Sequence, residues 1–228
     1  MMESVFFNAI QMLMTFDADF INIVALSLYV SLIATLLAAI LSIFIASILC
    51  VYKVFGKSQI ILIFQSLMSL PPVVVGLVLY LIYSYSGPLG YLDLLYTPTI
   101  MIIAQIIIVT PIIVSLAYSN LNSKYTYYQE YFLSLNASNY KKIITLLFES
   151  RYDLIVSMLT GLGRALSEVG AVIIVGGNIS HMTRVMTTSI VLETSRGELA
   201  LALSLGIALI IIALILNIII SIVKNYLM

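Results

Sequence analysis

Long apolar stretches separated by short polar segments dominate the pattern of this chain. Each is about as long as the roughly 20 apolar residues that a helix needs to cross a hydrocarbon core about 30 Å thick. Continuous apolar runs also exclude a β-barrel, whose membrane strands alternate apolar and polar positions. The pattern therefore predicts an all-α membrane protein with about five transmembrane helices. They lie near Ala25–Val51, Ile60–Tyr83, Thr97–Tyr118, Leu154–Val175 and Leu199–Val223.

Composition agrees with a chain that resides in lipid. The 228 residues are 62% hydrophobic and 9% charged, and the mean hydropathy of +1.17 lies outside the range of soluble domains. Lys plus Arg equals Asp plus Glu at 10 each, so net charge favours no nucleic-acid partner. We expect a single transmembrane domain over residues 1–228, with no nucleic acid bound.

The placement of basic residues indicates the orientation, because Lys and Arg concentrate in cytoplasmic loops. Residues 1–20 contain acidic but no basic side chains and lack a signal-peptide pattern, so we expect an uncleaved extracytoplasmic leader. Segment 124–151 is predicted to be cytoplasmic, segment 176–198 extracytoplasmic, and the C-terminus inside. In the outer segment Arg184 and Arg196 oppose the rule and are balanced by two glutamates. The basic residues that carry the assignment are Lys53, Lys57, Lys124, Lys141, Lys142, Arg151 and Lys224.

Two features inside the apolar stretches need an explanation. Pro71 and Pro72 must break or kink the second span, because neither has a backbone donor and the second forces the first into extended geometry. Arg164 and Glu168 lie four residues apart at membrane depth, so we expect them to pair, with Gly170 allowing close backbone approach nearby. Each feature is either structural or part of a polar pathway or gate.

The polar segment 124–151 reads as a helix, a turn at Asn136 and a second helix capped by Ser138 or Asn139. Such a hairpin either lies on the lipid surface or docks a cytoplasmic partner.

The outer segment 176–198 predicts a short helix that starts near Thr183 or Thr187 and stops at Gly197. Its side chains either are solvated or donate hydrogen bonds to a tetrahedral anion. The candidate contacts are Asn178, Thr183, Arg184, Thr187 and Thr188.

No motif for chemistry is complete. Gly56-Lys57-Ser58 resembles the end of a phosphate-binding loop, but Val51 occupies the position of its first glycine. The sequence lacks a zinc-protease motif, a paired-cysteine metal set and a nucleophile turn. We therefore expect a non-catalytic chain that binds no cofactor or metal, so that any ATP must be bound by another chain.

Four ordered motifs carry a resemblance to a known family. They are GRALSEVGA at 163–171, GGNI at 176–179, TRVMTT at 183–188 and LETSRGE at 192–198. Together they resemble the tungstate-specific permeases of bacterial ABC transporters, and the first also resembles the related molybdate and sulfate permeases. Residues 130–138 are similar to the cytoplasmic loop by which such permeases engage their ATPase, although Tyr131 and Phe132 replace two alanines and Asn136 replaces a glycine.

The resemblance implies a multi-pass permease of the bacterial cytoplasmic membrane. It implies a homodimer on two copies of a cytoplasmic ATPase that binds ATP and Mg²⁺, fed by an extracytoplasmic tungstate-binding protein. The hairpin would then be the coupling element. The coupling residues it implies are Glu130, Leu135, Asn136, Ala137, Ser138 and Lys141.

Three alternatives stay open at this point. The same machine can carry molybdate or sulfate, because these tetrahedral dianions differ little at a transient pore. A membrane-embedded enzyme using Arg164 and Glu168 is a second, although it lacks a catalytic base or metal set. A non-transport assembly or insertase protein with a cytoplasmic hairpin is the third.

Overall fold

The computed structural model describes Gln11 and residues 18–225, and every regular element in that part of the chain is helical. The predicted leader, residues 1–20, lies almost entirely outside the described residues. The elements are α1 (Ala18–Val51), α2 (Lys57–Leu67), α3 (Pro72–Tyr83), a 3₁₀ turn (Gly90–Leu92), α4 (Pro98–Ser134), α5 (Asn139–Glu149), α6 (Arg151–Leu166), α7 (Gly170–Gly176), α8 (Met186–Arg196) and α9 (Leu199–Asn225).

Three helices, α1, α4 and α9, are each long and apolar enough to cross a membrane. Two further crossings are broken pairs, with α2 and α3 bent by 97° and α6 and α7 bent by 59°. Counting each pair as one crossing gives five spans, as the sequence predicts. The all-α membrane fold is therefore confirmed.

Two helix boundaries differ from the prediction. α1 begins at Ala18 rather than near Ala25, because Phe20 and Ile23 are buried in a cluster with residues of α6, α8 and α9. α4 continues past Tyr118 to Ser134, so the third span and the first part of segment 124–151, predicted to be cytoplasmic, form one helix.

The predicted break at the proline pair is present. Pro71 is extended (φ −64°, ψ 120°) and Pro72 is the first residue of α3. A proline is tolerated there, because the first residues of a helix have no intrahelical acceptor for their N–H groups. The residue before a proline avoids the helical region, so α2 ends before Pro71.

Small residues allow close helix packing at two places, one between two long helices and one between the two broken spans. α1 and α4 form the most extensive helix pair, with Ala34, Ala38 and Ala46 fully buried along α1. α3 lies against α7, where a Cβ added at Gly76 would come 2.8 Å from the Cα of Ala171. Small residues allow backbones to approach in this way within membranes.

We predict that Gly76→Ala destabilises the protein, because the added methyl group meets backbone atoms that have no room to move. Overpacking of this kind costs roughly 1–3 kcal/mol. A thermal unfolding curve in detergent measures the effect. The matched control is Gly206→Ala in α9, where an added Cβ meets nothing within 4 Å. Equal melting temperatures for the two variants would contradict the close approach.

Candidate functional site

The ion pair expected from the sequence is present, but its two residues do not share one helix. Arg164 Nη1 lies 3.0 Å from Glu168 Oε2. α6 ends at Leu166, and Glu168 lies in the break before α7. The prediction of a continuous helix over Leu154–Val175 is therefore wrong.

The physical reason for the break lies in the second carboxylate oxygen. Glu168 Oε1 accepts the N–H of Ala171 at 3.4 Å, so the carboxylate caps the first turn of α7. Free N–H groups at a helix start carry partial positive charge and attract a carboxylate. Glu168 is only 4% exposed, so its charge is held between this donor and Arg164.

The two span breaks adjoin one another. A Cβ added at Gly170, the first residue of α7, would come 2.7 Å from Cγ2 of Val73 at the start of α3. Val73 directly follows Pro71 and Pro72. The structure therefore brings the predicted pathway candidates together in one region, here called the junction, comprising Pro71, Pro72, Arg164, Glu168 and Gly170.

Further polar side chains surround the junction; sequence reasoning missed Gln105 and Ser27 and assigned Thr187 to the outer segment only. Gln105 of α4 donates from Nε2 to the Ala165 carbonyl at 3.1 Å, and it is 4% exposed. The Thr187 hydroxyl donates to the Glu168 carbonyl at 2.8 Å. Together with Ser27 and other residues they line an interior cavity of about 10 Å³. An amide within an otherwise apolar stretch was the signal for Gln105.

The segment 176–198, predicted to be extracytoplasmic and here called the outer loop, folds as its helix signals predict. α8 begins after Val185 and ends at Gly197, which is left-handed with φ 84°. The Thr183 hydroxyl donates to the Gly176 carbonyl and accepts the Ile179 N–H. These bonds fasten the loop to the end of α7.

Two further candidates in this loop bond to each other. The Thr188 hydroxyl donates to Asn178 Oδ1 at 2.9 Å and accepts the Val185 N–H at 3.2 Å. The Asn178 amide donates to the Thr188 carbonyl. The predicted anion contacts at Asn178, Thr183, Thr187 and Thr188 thus already have hydrogen-bond partners within the protein.

Arg184 is the outer-loop candidate that borders open space. It helps line a cavity of about 350 Å³ together with Asp19, Asn22 and His181. Its Nη1 lies 3.9 Å from Glu193 Oε1, which also lies 3.6 Å from Arg196. His181 also lines this cavity, with its Nδ1 3.8 Å from Asp19 Oδ1.

Tyr96 packs against the C-terminal end of α7. Its N–H donates to the Val175 carbonyl at 2.9 Å, and a Cβ added at Gly177 would come 2.7 Å from its ring. Burial, followed by a hydrogen bond with Tyr80, raises the pKa of the Tyr96 phenol. The phenol is therefore neutral at physiological pH.

The hairpin at residues 124–151, which the sequence predicts to be cytoplasmic, has the predicted turn and cap. Asn136 is left-handed with φ 46°, and Ser138 accepts the Lys141 N–H at 3.4 Å. Phe132, one of the departures from the family motif, is buried against neighbouring aromatic rings and so belongs to the core of the hairpin. The exposed coupling candidates are Glu130, Leu135, Asn136, Ser138 and Lys141, and Ala137 is partly exposed.

Within residue 11 and residues 18–225, His, Cys, Asp and Glu side chains form no group of three that could hold a metal.

Comparison with known proteins first gives the class of this protein. It is 36% identical over 199 residues to a probable anion ABC transporter permease of Haloferax volcanii, covering 85% of this chain and 86% of the relative. No family model matches the sequence.

Two further relatives narrow the class. The tungstate uptake system permease of Peptoclostridium acidaminophilum is 40% identical over 209 residues, 92% of each chain. That of Campylobacter jejuni is 42% identical over 164 residues, 71% of this chain and 67% of the relative. The chain therefore belongs to the ABC transporter permease family that includes the tungstate uptake permeases, and it is a multi-pass protein of the cytoplasmic membrane.

We predict that Thr188→Val loosens the outer loop, because the fully buried hydroxyl bonds both Asn178 and the Val185 N–H. Leaving buried polar groups unpaired costs roughly 1–3 kcal/mol. Limited proteolysis and thermal unfolding measure the change. Thr194→Val, at an exposed position of the same helix, is the control and should leave both measurements unchanged.

Proposed function

We propose that this chain is the membrane subunit of an ATP-driven importer that moves tungstate into the cell. The observation that carries the proposal is the similarity to two tungstate uptake permeases, one of them aligned over 92% of both chains. The chain itself would be non-catalytic and hold no cofactor, with ATP and Mg²⁺ bound by a separate ATPase.

The cytoplasmic hairpin would be the contact with that ATPase. Leu135 is 60% exposed at the end of α4, and the polar residues around the turn are also exposed. The core of the hairpin is fixed from within, since Tyr128 donates to Glu149 and Leu146 is buried. A rigid base with an exposed apolar tip suits protein docking, where buried apolar anchors supply most of the affinity.

A second copy of the chain would complete the pathway. The polar cavity at the junction has a volume of about 10 Å³, which is near the size of one water molecule and too small for an oxyanion. A route between two copies around a two-fold axis provides the missing space.

An anion-binding protein would deliver tungstate on the extracytoplasmic side. The cavity of about 350 Å³ bordered by Arg184 and His181 lies beside the outer loop and is large enough to receive an oxyanion. Arg184 is suited to binding an oxyanion, because its guanidinium has several N–H donors and can contact Glu193 and an incoming anion at the same time.

Reconstitution tests the function directly. The chain, the ABC ATPase that co-purifies with it and its anion-binding protein are placed in liposomes, and ATP-dependent tungstate uptake is measured with molybdate and sulfate as competitors. Saturable uptake that molybdate and sulfate inhibit only in large excess is expected. Uptake of sulfate or molybdate in preference to tungstate would refute the proposed cargo.

We predict that Leu135→Asp abolishes co-purification with the ATPase without unfolding the chain, because the side chain is exposed at the hairpin tip. Phe55→Asp, at a fully exposed position in the loop between α1 and α2, is the control and should retain the ATPase. A Leu135→Asp variant that keeps both the ATPase and ATP-driven uptake would refute the coupling role.

We predict that Arg184→Gln raises the tungstate concentration needed for half-maximal uptake by roughly tenfold, the loss of about one charge-assisted contact. Arg196→Gln is the matched control, because it also removes a cation from Glu193 but its residue does not line the cavity. An equal effect of the two changes would show that Arg184 acts only through Glu193.

A further inference from the structure

One face of α6 is polar although the helix belongs to a membrane crossing. Thr160, Gly163, Arg164 and Ser167 follow the i, i+3, i+4, i+7 spacing that places residues on one helix face. Thr160, Gly163 and Ser167 are exposed, and the Arg164 side chain is 35% exposed. This set is here called the polar face.

Exposure of the polar face to lipid would be energetically unfavourable. An arginine at the centre of a bilayer costs several kcal/mol or more. Arg164 lies about 20 Å along the helix axis from Arg151, well within the span. The exposed part of α1, in contrast, carries Leu36, Ile40 and Phe44, which suit hydrocarbon.

Arg164 retains unused hydrogen-bond donors. Its Nη1 faces Glu168, and among the described residues the structure gives the rest of the guanidinium no acceptor. A guanidinium has five N–H donors in a fork that matches oxyanion geometry. Beside it, a Cβ added at Gly163 would meet nothing within 4 Å, so the surface next to the guanidinium is open.

The hydroxyls on the polar face already donate their hydrogen bonds to backbone carbonyls, so Arg164 remains the donor group for an anion. Thr160 donates to the Val156 carbonyl at 2.8 Å, and Ser167 donates to the Arg164 carbonyl at 3.0 Å. Their remaining lone pairs can accept hydrogen bonds from water. The face therefore combines a wettable surface with one cationic donor group.

We propose that the polar face lines the water-filled route and that Arg164 binds the translocating tetrahedral oxyanion there, an inference that rests on the proposed function. Glu168 is a positioning residue, since it is buried and holds the guanidinium at the junction. Across a two-fold axis, Arg164 of each copy would face a dianion, so that two cations meet two negative charges.

Cysteine accessibility tests the route. In a background where buried Cys50 is replaced by alanine, Gly163→Cys is introduced into the transporter with its ATPase in nanodiscs. A charged methanethiosulfonate should modify it, and tungstate should slow the reaction roughly tenfold. Leu214→Cys on the exposed apolar surface of α9 is the control and should stay unmodified.

Arg164→Gln combined with Gly163→Cys tests the ligand. The cysteine should stay reactive, but tungstate should no longer protect it. Gly163→Cys as unreactive as Leu214→Cys, or protection that survives Arg164→Gln, would overturn the inference. Tungstate uptake by the Cys50→Ala parent reports the proposed function separately, so that failure of the two can be distinguished.

A double-substitution cycle separates binding from structure. Arg164→Gln alone leaves a buried carboxylate unpaired, which is costly. Arg164→Gln with Glu168→Gln removes both charges and should recover the melting temperature but not tungstate uptake, which stays at least roughly tenfold below wild type. Recovery of both stability and uptake would overturn the inference and make the pair structural.

Discussion

Both halves of the fourth span depend on the two interactions of the buried Glu168 carboxylate. One oxygen caps α7 and the other pairs with the last turn of α6. A buried charge without such partners costs several kcal/mol, so the charged carboxylate needs both partners. The same residue's carbonyl accepts from Thr187, which ties the break to the outer helix α8. Glu168 therefore connects α8 to the break between α6 and α7.

Much of the fold could be predicted because its signals are local. Apolar length predicted the spans, Pro71-Pro72 predicted the first break, and Asn136, Ser138 and Gly197 predicted turns and caps that the structure confirms. Each of these residues acts through its own backbone preference or, for Ser138, through a hydrogen bond to an N–H group three residues away, so none depends on distant neighbours.

The second break could not be predicted in the same way. Residues 154–175 are apolar apart from the ion pair and the hydroxyl side chains of Ser157, Thr160 and Ser167. An i, i+4 spacing of the ion pair fits an unbroken helix equally well. The contact between Gly170 and Val73 that adjoins the break joins residues far apart in the sequence. The same holds for Gln105, whose acceptor at Ala165 lies 60 residues away. The outer-loop hydroxyls were predicted to be available for an anion, because their hydrogen-bond partners within the protein cannot be identified from the sequence.

The length of α4 has a mechanical consequence. Its 37 residues make a rod about 55 Å long at about 1.5 Å per residue, so roughly 25 Å extends beyond a hydrocarbon core about 30 Å thick. A tilt of about 10° about the outer end would displace the hairpin tip by roughly 10 Å, whereas residues near that pivot would scarcely move. Such a tilt would therefore move the hairpin far and the region near Tyr96 only slightly. α4 should bend most easily at Pro111, because this proline has no N–H to donate a backbone hydrogen bond within the helix.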